Sequence, residues 1–193
     1  MINRNRQHGF SLIELLVSLV IFTVGFLSIA GLQMVAKKSN YEGLQRTTAS
    51  HIAYALLEEM RANGDGIGTY LAAPDLGGGQ FDGLPVSNCS NEMAPCSSGQ
   101  KAIHDLWFWE QVLDGEQEVG AEGATGGILT PTLCISGPAG GGAGMYLVAV
   151  AWQGSVSLDN SEIDDCGAGT GKYGDGDAYR RVLQVSTFID PNI

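Results

Sequence analysis

The chain has 193 residues, 44% of them hydrophobic, a length that suits one domain with a buried core and leaves no second folded domain to expect. Ten Lys and Arg against 21 Asp and Glu give a formal net charge of -11, and no basic stripe is present to neutralise phosphates, which argues against nucleic-acid binding. The 28 glycines cluster in residues 64–83, 115–144 and 167–176 without a fixed period, so they mark loops and exclude a collagen-like or repeat architecture.

The first element is the apolar run "GFSLIELLVSLVIFTVGFLSIAG", residues 9–31, which contains one carboxylate, Glu14. An ionisable residue at the centre of a membrane helix costs about 2.5 to 3.5 kcal/mol, so something must offset this one. From Phe10 to Ala36 nearly every residue is apolar or small, enough at ~1.5 Å per residue to span the ~30 Å of a bilayer core. A secretory signal shares the basic start, Arg4 and Arg6, but its apolar region runs only about 7 to 15 residues before a small-residue cleavage site. Here the run continues. Arg4 and Arg6 precede the span and Lys37 and Lys38 follow it, so charge decides little about orientation. The cysteines and the acid-rich bulk place the C-terminal part outside.

Nothing breaks the helix before "NGDGIG" at 63–68, so the reading is one helix from Phe10 to about Ala62, roughly 80 Å long. Its second half is amphipathic, with Leu44, Ile52, Ala55, Leu56 and Met60 on one side and Arg46, Glu58 and Arg61 largely elsewhere. Gly25 and Gly31 sit in the span, where glycine costs about 1 kcal/mol against alanine, and one reading of them is close helix packing.

Four cysteines follow, Cys89, Cys96, Cys134 and Cys166, with no CxxC and no Cys/His zinc spacing. An even number favours disulfides in an oxidising compartment, and "SNCSNEMAPCSSG" reads as an exposed loop where a free thiol would be a liability. Three connectivities are possible; the shortest loops, Cys89 with Cys96 and Cys134 with Cys166, are the expectation. "KAIHDLWFWEQVLD" (101–114) predicts a short second helix carrying Ile103, Leu106, Trp107, Trp109 and Leu113. "MYLVAVAWQ" (145–153) and "YRRVLQVSTFI" (179–189) alternate as strands. "GGILTPTLCIS" (126–136) predicts a third, placed at an edge by Pro131. The implied fold class is α+β: a long N-terminal helix, transmembrane in its first half, packed on a small antiparallel sheet, with a short second helix.

Catalytic and cofactor signatures fail on their spacing. "GPAGGGAG" (137–144) precedes a strand where a phosphate cradle would open a helix, and reads as a flexible turn between strands. "GTGKYGDG" (169–176) has Tyr173 where a P-loop needs Ser or Thr. His8, His51 and His104 form no i, i+4 metal pair, and no GxSxG elbow accompanies a serine. The acid-rich stretch 158–177 lacks EF-hand spacing and reads as a solvated loop near Cys166. The expectation is a protein that is not an enzyme and holds no cofactor or metal.

"GFSLIE" at 9–14 resembles the processing site of type IV prepilins, in which a basic leader ends in Gly before Phe, with Glu fifth in the mature chain. The likeness extends through "LLVSLVIFTVGFLSIAGLQ" and, more loosely, through "HDLWFWEQVL", "YLVAVAWQG" and "YRRVLQVSTFI", and is most like the PilV family of minor pilins. The resemblance implies the type IV pilin fold. It implies a leader over 1–9, a transmembrane and assembly segment over 10–36, and a periplasmic head over 37–193. It further implies cleavage between Gly9 and Phe10 by prepilin peptidase and methylation of the new Phe10 amine, leaving eight Lys and Arg against 21 Asp and Glu. Glu14 would then neutralise an amine one helical turn away or on a neighbouring subunit. Gly25 and Gly31 would allow local loosening as the helix moves from lipid into a filament. Implied partners are other minor and major pilins, the inner-membrane assembly platform and a PilY-type tip adhesin. A minor pseudopilin of a type II secretion system uses the same N-terminus and is the alternative. A single-span enzyme or receptor would instead retain its leader.

Overall fold

The computed structural model describes residues 9, 11–81, 83, 85, 89, 95–117, 119, 120, 123, 124, 126–158 and 164–192. The chain divides into two compact units between Tyr41 and Glu42, and one helix, α1 (Leu12–Ala62), contributes to both. Between Leu15 and Leu32 α1 is apolar or small-residued on every side, and throughout the first unit its described side chains are exposed except for half-buried Ala30.

The second unit is an α+β head. Here α1 changes character: Gln45, Ala49, Ile52, Ala53, Leu56, Leu57 and Met60 recur every three or four residues and are buried. Leu44, expected on this face, is 61% exposed, and Gln45 takes the inward position. A polar residue fits there because its amide is used: Gln45 Oε1 accepts from Leu129 N–H at 2.9 Å, and its Nε2 donates to the Gly127 carbonyl at 3.4 Å.

After α1 come a 3-10 turn (Gly64–Gly66) and a short helix, α2 (Ile67–Leu71), neither of which the glycine-rich sequence announced. Helix α3 (Ser98–Asp114) starts at a capping box, in which Ser97 accepts from Gln100 N–H while the Gln100 side chain accepts from Ser97 N–H. It ends at Gly115, where φ is +80° and a Cβ would stand 2.1 Å from the Gly126 carbonyl oxygen, so only glycine fits. The expected inward set on α3 is amended. Leu106, Trp109 and Leu113 are buried as read, with Ala102, while Ile103 is 41% exposed and Trp107 half-buried.

Two short strands, β1 (Val119–Gly120) and β2 (Gly123–Ala124), pair with each other. The main sheet is antiparallel in the order β3-β4-β5, with β3 (Thr132–Ser136), β4 (Gly144–Gln153) and β5 (Arg180–Ile189). β3 lies at an edge, as Pro131 requires, but is shorter than the expected 126–136, because residues 127–129 bond instead to Leu113, Gln153 and Gln45. The turn between β3 and β4 is tightly packed: a Cβ on Gly137 would meet the Tyr146 ring at 2.5 Å.

The inner face of the sheet presents Leu133, Tyr146, Val148, Val150, Trp152, Val185 and Ile189 to α1, α2 and α3, forming the main core. The outer face is also covered. Ala149, Ala151, Cys166 and Tyr173 form a second buried cluster, so part of the acid-rich stretch read as a solvated loop is instead a lid on the sheet. Tyr173, fully buried, donates to Thr132 Oγ1 at 2.8 Å. Arg180 Nη1 donates to the carbonyls of Asp164 and Cys166 at 2.6 and 3.0 Å. That bonding is why a segment of low hydrophobicity packs here.

Candidate functional site: the apolar arm and its head

Glu14 stands in the first turn of α1, where a carboxylate is favoured by the helix dipole. The Ser11 carbonyl opens the helix, accepting from the N–H groups of Glu14 and Leu15 at 3.1 and 3.3 Å. Gly9 is described and exposed; Phe10 lies outside the described residues. Glu14 is exposed and has no ion-pair partner among the described residues.

Beyond Glu14 the helix holds an 18-residue window of mean hydropathy 2.5, none of it buried within the molecule, long and apolar enough to cross a membrane. Its three hydroxyls are satisfied internally. Ser18 donates to the Leu15 carbonyl at 2.9 Å, Thr23 to Val20 at 2.8 Å and Ser28 to Val24 at 2.9 Å. Such back-bonding leaves no polar group unpaired in an apolar medium. Gly25 and Gly31 have open space where a Cβ would stand, so within this one chain nothing requires glycine at either position.

In the head, the four cysteines form two disulfides, Cys89–Cys96 and Cys134–Cys166. The second joins β3 to the outer lid across 32 residues. Sequence reasoning missed three polar clusters that hold the head. Glu110, fully buried on α3, accepts from the N–H groups of Gly77, Gln80 and Phe81 at 3.0, 2.7 and 2.6 Å. Asp114, one turn on, accepts from Gly78 and Gly79. The "GGG" at 77–79 therefore acts as an internal anion nest for the chain's own carboxylates.

The second cluster centres on Tyr70, whose hydroxyl donates to Asp105 Oδ2 at 2.5 Å while Lys101 Nζ donates to both Asp105 oxygens at 2.8 and 2.9 Å. Burial, above all, pushes the Tyr70 hydroxyl far above the usual tyrosine range, so it stays a neutral donor. In the third, Trp109 Nε1 donates to Glu59 Oε2 at 2.7 Å. Burial raises the Glu59 carboxyl above its ordinary range despite that bond. A carboxylate three or four residues from apolar ones on α3 was the only sequence signal for the first cluster. No group of His, Cys, Asp and Glu suited to a metal occurs among the described residues.

Residues 4–30 match the prokaryotic N-terminal methylation motif, and residues 31–107 match the family described as type IV pilin Tt1218. The two matches support a type IV pilin. Neither the curated proteins nor the solved structures yield a match. The arrangement of long apolar helix, short helix and three-stranded antiparallel sheet is consistent with the type IV pilin fold. The matches support a pilin role in pilus or pseudopilus assembly, the family suggests interaction with other pilins and with the prepilin peptidase, and the motif with the apolar helix suits a membrane anchor. The type IV pilin family is structural, and the clusters above hold this head together by bonds already satisfied within the chain.

Proposed function

We propose that this pilin is a minor pilin of the PilV type, acting in type IV pilus assembly as part of a priming or tip complex and so supporting adhesion and twitching motility. The observation that carries the reading is the apolar arm beginning directly after Gly9, with Glu14 in its first turn and no partner among the described residues. Cleavage between Gly9 and Phe10 creates a cationic amine, methylated on Phe10, within a turn of that carboxylate. In the low dielectric of a filament core, two such charges are favourable only as a satisfied pair, so the amine of one subunit meets Glu14 of the next. Gly25 and Gly31 serve local loosening when the arm leaves lipid. The domain plan is a leader (1–9), an arm (10–36) and a periplasmic head (37–193), held in the inner membrane until assembly, where the assembly platform and a PilY-type tip adhesin are further partners. The oxidising periplasm suits the two disulfides.

Intact-mass spectrometry of the protein from its native membrane is the test. A start at methylated Phe10 is expected; a retained Met1 or an unmethylated Phe10 would overturn the processing reading. Deleting the gene should abolish surface pili and twitching with protein secretion intact, and a defect confined to secretion would reassign the chain to a type II pseudopilus.

A further inference from the structure

Six Lys and Arg belong to the head unit, and five are engaged within it: Arg61 by Glu58 and Thr187, Lys101 by Asp105, Lys172 by Thr132, Arg180 by backbone carbonyls and Arg181 by Glu42. The sixth, Arg46 on α1, is exposed and without a partner among the described residues. It opens onto a groove of about 550 Å³, lined from α1 by Arg46, Thr47, Ser50, His51 and Tyr54 and from β5 by Leu183.

The chemistry of this wall is one-sided. A spacing of four places Arg46, Ser50 and Tyr54 along one row of α1, with Thr47 and His51 on the next. The Arg46 guanidinium, the Ser50 and Tyr54 hydroxyls and the His51 imidazole all bring donors, and none is bonded to another described residue. The Thr47 hydroxyl has already given its proton to the Gly43 carbonyl at 2.9 Å. No carboxylate lines the groove among the described residues, and the acids of α1 in the head are taken. Glu42, one turn before Arg46, accepts from the Ser155 hydroxyl and N–H and faces Arg181 at 3.8 Å; Glu58 pairs with Arg61, and Glu59 accepts from Trp109. One unmatched positive charge and a surplus of donors call for a singly charged group that only accepts, which is a carboxylate. A phosphate monoester would bring about two negative charges to one cation, and sugar hydroxyls would need acceptors that the wall lacks.

We propose that this groove receives a Glu or Asp side chain of another protein, its carboxylate on Arg46 and Ser50 and the main-chain carbonyls of the same segment on His51 and Tyr54. At ~1.5 Å per residue, Arg46 to Tyr54 covers about 12 Å, the length of about four extended residues. Leu183 and the Tyr54 ring offer apolar surface to the residue beside the acid. In a chain of net charge -11, which repels acid elsewhere, a lone cation fixes where an acidic partner can touch. The inference stands on the head alone and does not depend on which filament the chain joins.

The test uses the full chain in detergent micelles and two fluorescent hexapeptides that differ only in one central residue between valines, Glu in one and its uncharged isostere Gln in the other. The Glu peptide should bind at least about tenfold more tightly, since a charge-assisted hydrogen bond is roughly twice as strong as a neutral one. Arg46→Gln should bring the two peptides within about twofold of each other, and Arg46→Lys should keep their ranking, which separates loss of charge from loss of folding. Lys172→Gln removes the same charge from the outer lid and should leave the preference intact. Tyr54→Phe should weaken both peptides alike, because the carbonyl it serves is common to both. Equal affinity for the two peptides, no binding of either, or a preference that survives Arg46→Gln would overturn the proposal. In competition at fixed ionic strength, N-acetylglutamate amide should displace the Glu peptide at lower concentration than inorganic phosphate or glucuronate. The reverse order would give the groove to a phosphate or a sugar acid and overturn the assignment to a protein side chain.

Discussion

The two halves of α1 are built from similar apolar residues and meet opposite fates. From Leu12 to Val35 its large side chains are 51 to 80% exposed, whereas Ile52, Leu56, Leu57 and Met60 are at most 1% exposed. The difference lies in pattern. The arm is apolar all round and calls for an apolar surrounding, lipid or other helices, while the head half is apolar every third or fourth residue and needs only one packed face. Hydrophobicity tells how much surface must be hidden; its period tells from which side.

Substitutions that act on one half and spare the other would break or sharpen this contrast. The largest effect is expected from Glu14→Val, which should lower incorporation into filaments about 100-fold or more, because leaving one member of a buried charge pair alone costs about 3 to 5 kcal/mol. Membrane insertion, leader cleavage and the thermal midpoint of the head should be unchanged; incorporation at the normal level, scored by immunoblot of sheared filaments, would show the carboxylate to be dispensable. In the head, Leu56→Ala should cost about 2 to 5 kcal/mol in denaturant unfolding and leave insertion intact.

Replacing Cys134 and Cys166 together by serine should cost about 2 to 4 kcal/mol, since their loop spans 32 residues, and should expose the lid to protease. The Cys89–Cys96 pair closes a separation of only 7 residues, and its removal should cost less. Glu110→Ala strands three amides and should lower stability by about 1 to 3 kcal/mol, with cleavage appearing first at 77–81.

The smallest effect carries a sign. Burial raises the Glu59 carboxyl, so its contribution is present below the unfolded value and is lost as pH rises through the folded one. At neutral pH, Glu59→Gln should therefore be neutral to slightly stabilising, because its amide oxygen still accepts from Trp109, and the gain should disappear on acidification. Glu42 runs the other way: the Ser155 hydroxyl and N–H hold its carboxyl below the usual range, and that support fades as pH falls through the lowered value.

The strongly periodic segments are legible in the amino-acid sequence alone: the long helix ends at Ala62 beside the glycine punctuation, and β4 and β5 lie within a residue of their expected spans. What escapes has a common physical cause. Gln45 is buried because Gly127 and Leu129, more than 80 positions away, complete its amide, and Glu110 because three loop amides fold onto it. A polar residue inside a core is legible only together with its partner, and those partners sit in stretches without periodicity. Tyr173 is similarly hidden in a glycine-rich loop whose anchor, Thr132, lies on a distant strand. Of the candidate site, the position of Glu14 in the first helical turn follows from sequence, whereas a partner for its carboxylate does not, since none lies among the described residues.

The back-bonded hydroxyls of Ser18, Thr23 and Ser28 carry a last consequence for the arm. Each brings its own acceptor with it, so these groups are indifferent to what surrounds them. A helix moving from lipid to a bed of other helices breaks none of these bonds and strands none of their polar atoms. Its surroundings can change while the chemistry of these hydroxyls stays the same, which leaves the carboxylate at its start as the one charged side chain of the span able to tell the two places apart.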